Sequence, residues 1–219
     1  MAEVNTALIA FIGVLAGGYF NNFLGEDYRR FRDGQALAGA LAGELESHAE
    51  PLKWMKDGLE KMALQAMTEE GLALPEWPIP PSPIFDSNTA KIGLLGAEMA
   101  KEVAYVYENL RAFRINFHQL SKHHHEIKNK EWNVAMVNGC AAALHRAEHR
   151  GLPLIESLKR YADVKYGSLP STRKQYKIGA GILIALVLFA LIGSCSSSSE
   201  QNCTTVVDQA KGTSTTVCK

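Results

Sequence analysis

The chain is short of cysteine where a disulfide framework or a zinc ribbon would need it. Of its four cysteines, Cys140 stands alone in the long middle region, while Cys195, Cys203 and Cys218 all fall in the last 25 residues. No C-x-x-C pair, P-loop, G-x-S-x-G or dinucleotide fingerprint occurs, which removes the common signatures of redox, nucleotide and serine-hydrolase chemistry. An excess of one charge is missing too. Lys and Arg number 23, Asp and Glu 23, and residues 25–170 hold 18 basic against 20 acidic side chains. A nucleic-acid partner calls for a basic patch or stripe, so none is expected. Proline is sparse outside one place: five of eight lie within residues 74–87. No alternating strand pattern occurs before residue 203, so the expected class is all-α.

What the sequence does have is a sixteen-residue run with no polar side chain, IGAGILIALVLFALIG at 178–193. Arg173, Lys174 and Lys177 precede it and a serine-rich stretch follows. Tyr176, Ser194 and Cys195 extend it toward the length a membrane span requires. A second apolar stretch opens the chain at residues 7–20 and is followed by Arg29, Arg30 and Arg32. Basic residues stay on the cytoplasmic side. The two stretches then agree on one topology, in which residues 1–24 are an N-terminal signal anchor, 173–194 a second transmembrane helix, and both termini are outside. A helix lying on the membrane is the alternative for the first stretch, whose strictly apolar part is short. Gly13 and Gly17 form G-x-x-x-G, and Gly181 and Ala185 form a small-x-x-x-small pair, spacings at which helices approach closely in lipid. The implied location is multi-pass in a bacterial inner membrane, in contact with lipid, with the bulk of the chain cytoplasmic.

Residues 25–172 read as one cytoplasmic antiparallel helical bundle, of four helices or similar. Phe31, Leu37, Leu41 and Leu45 recur at helical spacing, and Pro51 interrupts the pattern. A second piece runs through Trp54, Leu59, Met62 and Met67. The proline-rich loop 74–87 is extended and stiff, with Trp77 and Phe85 laid onto the domain. Asp86, Ser87 and Asn88 are candidate N-caps for the longest helix. Its seam is Ile92, Leu95, Met99, Val103, Val106, Leu110, Phe113, Phe117 and Leu120. A further helix from about Glu131 to His149 buries Trp132, Met136, Cys140, Ala143, Leu144 and Ala147. Gly151 and Pro153 separate it from a last helix that reaches about Tyr166.

Chemistry has few footholds. His145, Glu148 and His149 resemble the H-x-x-E-H zinc motif of the inverted zincins over five residues. Two histidines at i and i+4 can share a metal, and the carboxylate between them can act as a base. Both histidines project opposite the apolar face, however, and only Glu156 offers a third ligand nearby, so a solvated helix face is expected. His123, His124 and His125 read as a polar helix terminus suited to the macrodipole. Cys140 reads as a small core residue. No catalytic residue and no cofactor is expected.

The tail, residues 195–219, carries two β-prone runs around Gln-Ala-Lys-Gly. Aligning them sets Cys203 opposite Cys218, Thr205 opposite Thr216 and Val206 opposite Thr215, a hairpin that a Cys203–Cys218 disulfide would close. Cys195 is then left for an intermolecular bond, and with it a homodimer. The function implied is a non-enzymatic scaffold, sensor or accessory subunit whose bundle binds another protein. A membrane-tethered zinc hydrolase using His145–His149 is the alternative.

Overall fold

The computed structural model describes residues 25–127, 129–195, 203–208 and 213–218, together with Ala10, Phe11, Gly13, Val14, Gly17 and Gly18. Side chains are described as far as Ala185, and at Leu188. The chain divides into two units, residues 1–164 and 165–219.

In the first unit, α1 (Gly25–Ala49) starts with Glu26 and Asp27 and ends near His48, charges that complement its macrodipole. Its stripe of Phe31, Leu37, Ala38, Leu41, Ala42 and Leu45 is buried, as the spacing implies. Pro51 ends it, because a proline nitrogen cannot donate into the preceding turn. The chain resumes as α2 (Leu52–Ala66). An extended strap, residues 71–82, leads into α3 (Pro83–Asn88), a 3-10 segment (Thr89–Leu95) and α4 (Ala97–His123). Asn129 caps α5 (Lys130–Asp163) by accepting from the Trp132 N–H at 3.0 Å.

These elements make a bundle of three rods rather than four. Gln35 of α1 donates to the carbonyls of Ala162 and Val164, at 2.8 and 2.6 Å, covering the orphan end of α5. Lys56 of α2 meets Glu148, and Lys130 at the start of α5 meets Glu69 just beyond α2. The partners thus run in opposite order, so α1 and α2 are two pieces of one rod antiparallel to α5. The other rod, α4, supplies both halves of the core. Val103, Val106 and Leu110 pack with the α1 stripe, Ala147, Leu154, Ile155 and Leu158. Leu120 packs with Leu59, Ala66, Val137, Cys140 and Leu144. Among the described glycines Gly34 is the most tightly enclosed: an added Cβ would lie 3.0 Å from both the Leu94 carbonyl and the Tyr161 hydroxyl.

Three expectations need correcting. The helix does not break at Gly151–Pro153: α5 runs unbroken through Pro153 for 34 residues. An internal proline costs roughly 3 kcal/mol. Here Leu144 and Ala147 before it and Leu154, Ile155 and Leu158 after it are all buried. Gly151 is buried as well, facing Val106. A break would pull one of those groups out of the core. Second, Asp86, Ser87 and Asn88 lie inside α3 and cap nothing longer. Pro83 starts that helix early, and Gly96, at φ 85°, resets the backbone before α4 in a conformation that suits glycine. Third, the α2 seam is narrower than its apolar letters suggest, since Trp54 is 74 % exposed and Met67 58 %.

The second unit contains a 3-10 turn (Tyr166–Ser168), α6 (Pro170–Cys195) and the strands β1 (Cys203–Asp208) and β2 (Thr213–Cys218). Helix α6 holds the 178–193 run. The strands pair antiparallel with Cys203 opposite Cys218, Thr205 opposite Thr216 and Val206 opposite Thr215, the register that aligns the two Thr/Val runs. Among the described residues, no helix is long and apolar enough to cross a membrane. Most side chains beyond Ala185 in α6, and most of the proposed signal anchor, lie outside the described residues. A Cβ added at Gly13, Gly17 or Gly181 meets no described atom within 4 Å. The side chains of Cys195, Cys203 and Cys218 also lie outside the described residues, and the expected disulfide with them.

Candidate binding site under the proline-rich strap

Helix α4 ends in a run of polar side chains spaced by three, His118, Ser121 and His124, and these hold the strap. His124 is buried at the end of the rod. Its Nδ1–H donates to the carbonyls of Leu120 and Ser121, at 3.2 and 3.0 Å, which leaves Nε2 free to accept the Leu74 N–H at 3.1 Å. Ser121 Oγ accepts the Trp77 N–H at 3.0 Å and donates to the His118 carbonyl. His118 Nδ1 donates to the Trp77 carbonyl at 2.6 Å. With its backbone fixed, Trp77 sets its ring edge-on to Phe117, centroids 5.9 Å apart.

The far end of the strap is held by a second polar group. Ser82 N–H donates to Asp86 at 3.1 Å, and Arg114 donates to Ser82 Oγ at 2.6 Å. Arg114 also donates to His48 Nε2 at 3.1 Å, which makes His48 the Nδ1–H tautomer. Burial, then the Arg114 charge, holds His48 below its ordinary range against the pull of Glu44. Burial lowers the Arg114 value, opposed by Glu44 and Asp86. Glu44 accepts from the N–H groups of Ile84 and Phe85, at 2.9 and 3.1 Å, and from the Tyr107 hydroxyl at 2.7 Å. Burial, then that bond, raises the Tyr107 phenol well above its usual value. Phe85 stacks flat on Tyr107, centroids 4.0 Å apart.

Between these two anchorages lies an apolar cavity of about 240 Å³. Trp54, Met55, Gly58 and Met62 of α2 form one wall, and Phe113 and Phe117 of α4 another. Trp77 and Pro80 of the strap flank its half-open mouth, and Leu59, Leu110 and Leu144 lie at its base. The polar lining is confined to Ser47, His48 and Arg114. No family model, curated protein or solved structure matches this chain. The functional reading therefore rests on this cavity.

The residues singled out in the sequence lie elsewhere. His145 and His149 are exposed, with ring centroids 6.4 Å apart. Glu148 between them is taken by Lys56 Nζ, at 2.9 and 3.1 Å, and Glu156 lies near Lys159. Among the described residues no three His, Cys, Asp or Glu side chains are placed to hold a metal. Cys140 is buried, and burial pushes its thiol up to about 12. In the histidine triplet, His123 pairs with Glu126 at 2.8 Å as a polar terminus would, but His124 is a buried tether. The residues missed were Glu44, His48, Tyr107, Arg114, His118 and Ser121. The three-residue spacing of His118, Ser121 and His124 on one helix face was a usable signal. The contacts made by Glu44 and Arg114 were not legible, because their partners are far away in sequence.

Proposed function

We propose that this chain is a membrane-anchored, non-enzymatic binding module, in the role of a sensor or accessory subunit, whose helical bundle receives its ligand in the cavity under the strap. The cavity carries this reading. Small-molecule sites are concave and mostly apolar, with a few convergent polar groups, and this one fits on each point. Its nearest titratable groups are tied into bonds that hold the strap rather than left to exchange protons with a substrate. A zinc hydrolase finds no such support, since Glu148 is paired and His145 and His149 face solvent. The bound state would be relayed to a protein partner of the cytoplasmic domain.

Anchoring is supported by α6. Its sixteen-residue apolar run makes about 24 Å of helix, which Tyr176, Ser194 and Cys195 extend toward the roughly 30 Å of a hydrocarbon core. Its apolar run begins just after Arg173, Lys174 and Lys177. The first apolar stretch would return the chain across the same bilayer, leaving the bundle cytoplasmic. Full-length protein should stay with the membrane pellet through alkaline extraction. Release into the supernatant would remove the anchoring half of the reading.

A further inference from the structure

We infer that the cavity takes a neutral lipophile of about the size of two fused rings, carrying one hydrogen-bond acceptor that seats at the Arg114–His48 end. This deepens the reading of the cavity as the binding site and rests on it. Size comes first. An apolar cavity of about 150 Å³ accepts benzene. One of about 240 Å³ therefore has room for a second ring or a short chain. The walls favour flat, polarisable matter: Trp54, Trp77, Phe113 and Phe117 offer ring faces and edges, and Met55 and Met62 offer thioethers.

Charge then separates neutral ligands from anions. Arg114 is a cation in the lining, but Glu44 and Asp86 already stand close enough to act on it. Both carboxylates are bound by neighbouring N–H groups, Glu44 by Ile84 and Phe85 and Asp86 by Ser82. A carboxylate ligand would approach an Arg114 whose charge is already offset by Asp86, which shares Ser82 with it, and by Glu44, one turn before His48. A neutral carbonyl or hydroxyl meets only donors. His48 supplies one, because its Nε2 accepts from Arg114 and its ring proton therefore sits on Nδ1. An acceptor therefore finds a donor there without bringing a charge into an apolar site.

The test uses the full-length protein in lipid nanodiscs and three probes of one ring system: 2-acetylnaphthalene, naphthalene and 2-naphthoate. Gly58→Leu serves as control. Gly58 lines the cavity with nothing within 4 Å of its Cβ position, so leucine fills the space while favouring the helix. The ketone should bind saturably at one site, about tenfold more tightly than naphthalene and more tightly still than the carboxylate. Gly58→Leu should abolish that binding, and Arg114→Met should erase the preference for the ketone over naphthalene. Equal or tighter binding of 2-naphthoate overturns the neutral-ligand assignment. Naphthalene binding that Gly58→Leu removes, with no preference for the ketone, overturns the acceptor but keeps the cavity as the site. Failure of all three probes, or binding unchanged in Gly58→Leu, overturns both.

Discussion

Glu44 gives both carboxylate oxygens to groups from other elements: two backbone N–H groups at the start of α3 and the hydroxyl of Tyr107. Removing it orphans three donors, two of them part-buried. Glu44→Ala should lower stability by about 2–3 kcal/mol, read as a shift in denaturant midpoint at constant slope. Glu44→Gln, which keeps one acceptor, should lose less. His48 makes a pH-dependent contribution. Its value in the folded chain lies below its ordinary 6.5. The folded form thus binds the proton less readily than the unfolded chain, so this contribution is complete above about 6.5 and is lost as pH falls through the lowered value. Protonation also puts a proton on the nitrogen that accepts from Arg114. The melting temperature should fall between pH 7 and pH 5, and His48→Gln, which can still accept from Arg114, should flatten that fall. An equally steep fall in the variant would assign the effect to the carboxylates instead.

At the scale of elements, the strap depends on α4. Replacing His124 with phenylalanine keeps a ring buried and removes the acceptor for Leu74 together with the Nδ1–H bonds to the Leu120 and Ser121 carbonyls at the end of α4. Amide exchange at Leu74 and Trp77 should then speed up at least tenfold, while Val103 and Val106 in the core keep their protection. Uniform acceleration would show a general loss of stability instead. The same elements show what a sequence can disclose. Although Ile92 and Leu95 fall in the 3-10 segment before Gly96, the α1 stripe, the interruption at Pro51, the α4 seam from Met99 onward and the hairpin register follow from local spacing. The unbroken α5 does not, because Pro153 is a local stop signal overridden by burial on both sides of it. Nor does the role of His124, which looks like a soluble helix end until the strap folds over it. Trp54 differs in the opposite direction: an apolar letter at helical spacing suggests a packed face, but the ring is exposed at the rim of the cavity.

For the whole molecule, topology and assembly belong together. Basic residues flank both apolar stretches on the side of the bundle, so a cysteine introduced at Glu76 in the strap should resist membrane-impermeant thiol reagents in intact cells and react after permeabilisation. In the proposed topology the tail would lie on the oxidising side. Directly opposed residues in an antiparallel pair have Cα atoms within about 5.5 Å, inside the span of a disulfide. Cys203 with Cys218 should therefore close the hairpin, leaving Cys195 to link two chains. A dimer band on non-reducing gels should vanish in Cys195→Ser, and its persistence would move the link to the hairpin cysteines. The strap has a consequence of another kind. Its first half is stitched through main-chain atoms of Leu74 and Trp77, so the stitches read spacing rather than letters. Over evolutionary time Pro75 and Glu76 are free to drift, but the interval between the stitches is not. Descendants of this chain should vary in the wording between Leu74 and Trp77 while inheriting its length, and a single inserted residue there should be rarer than any exchange.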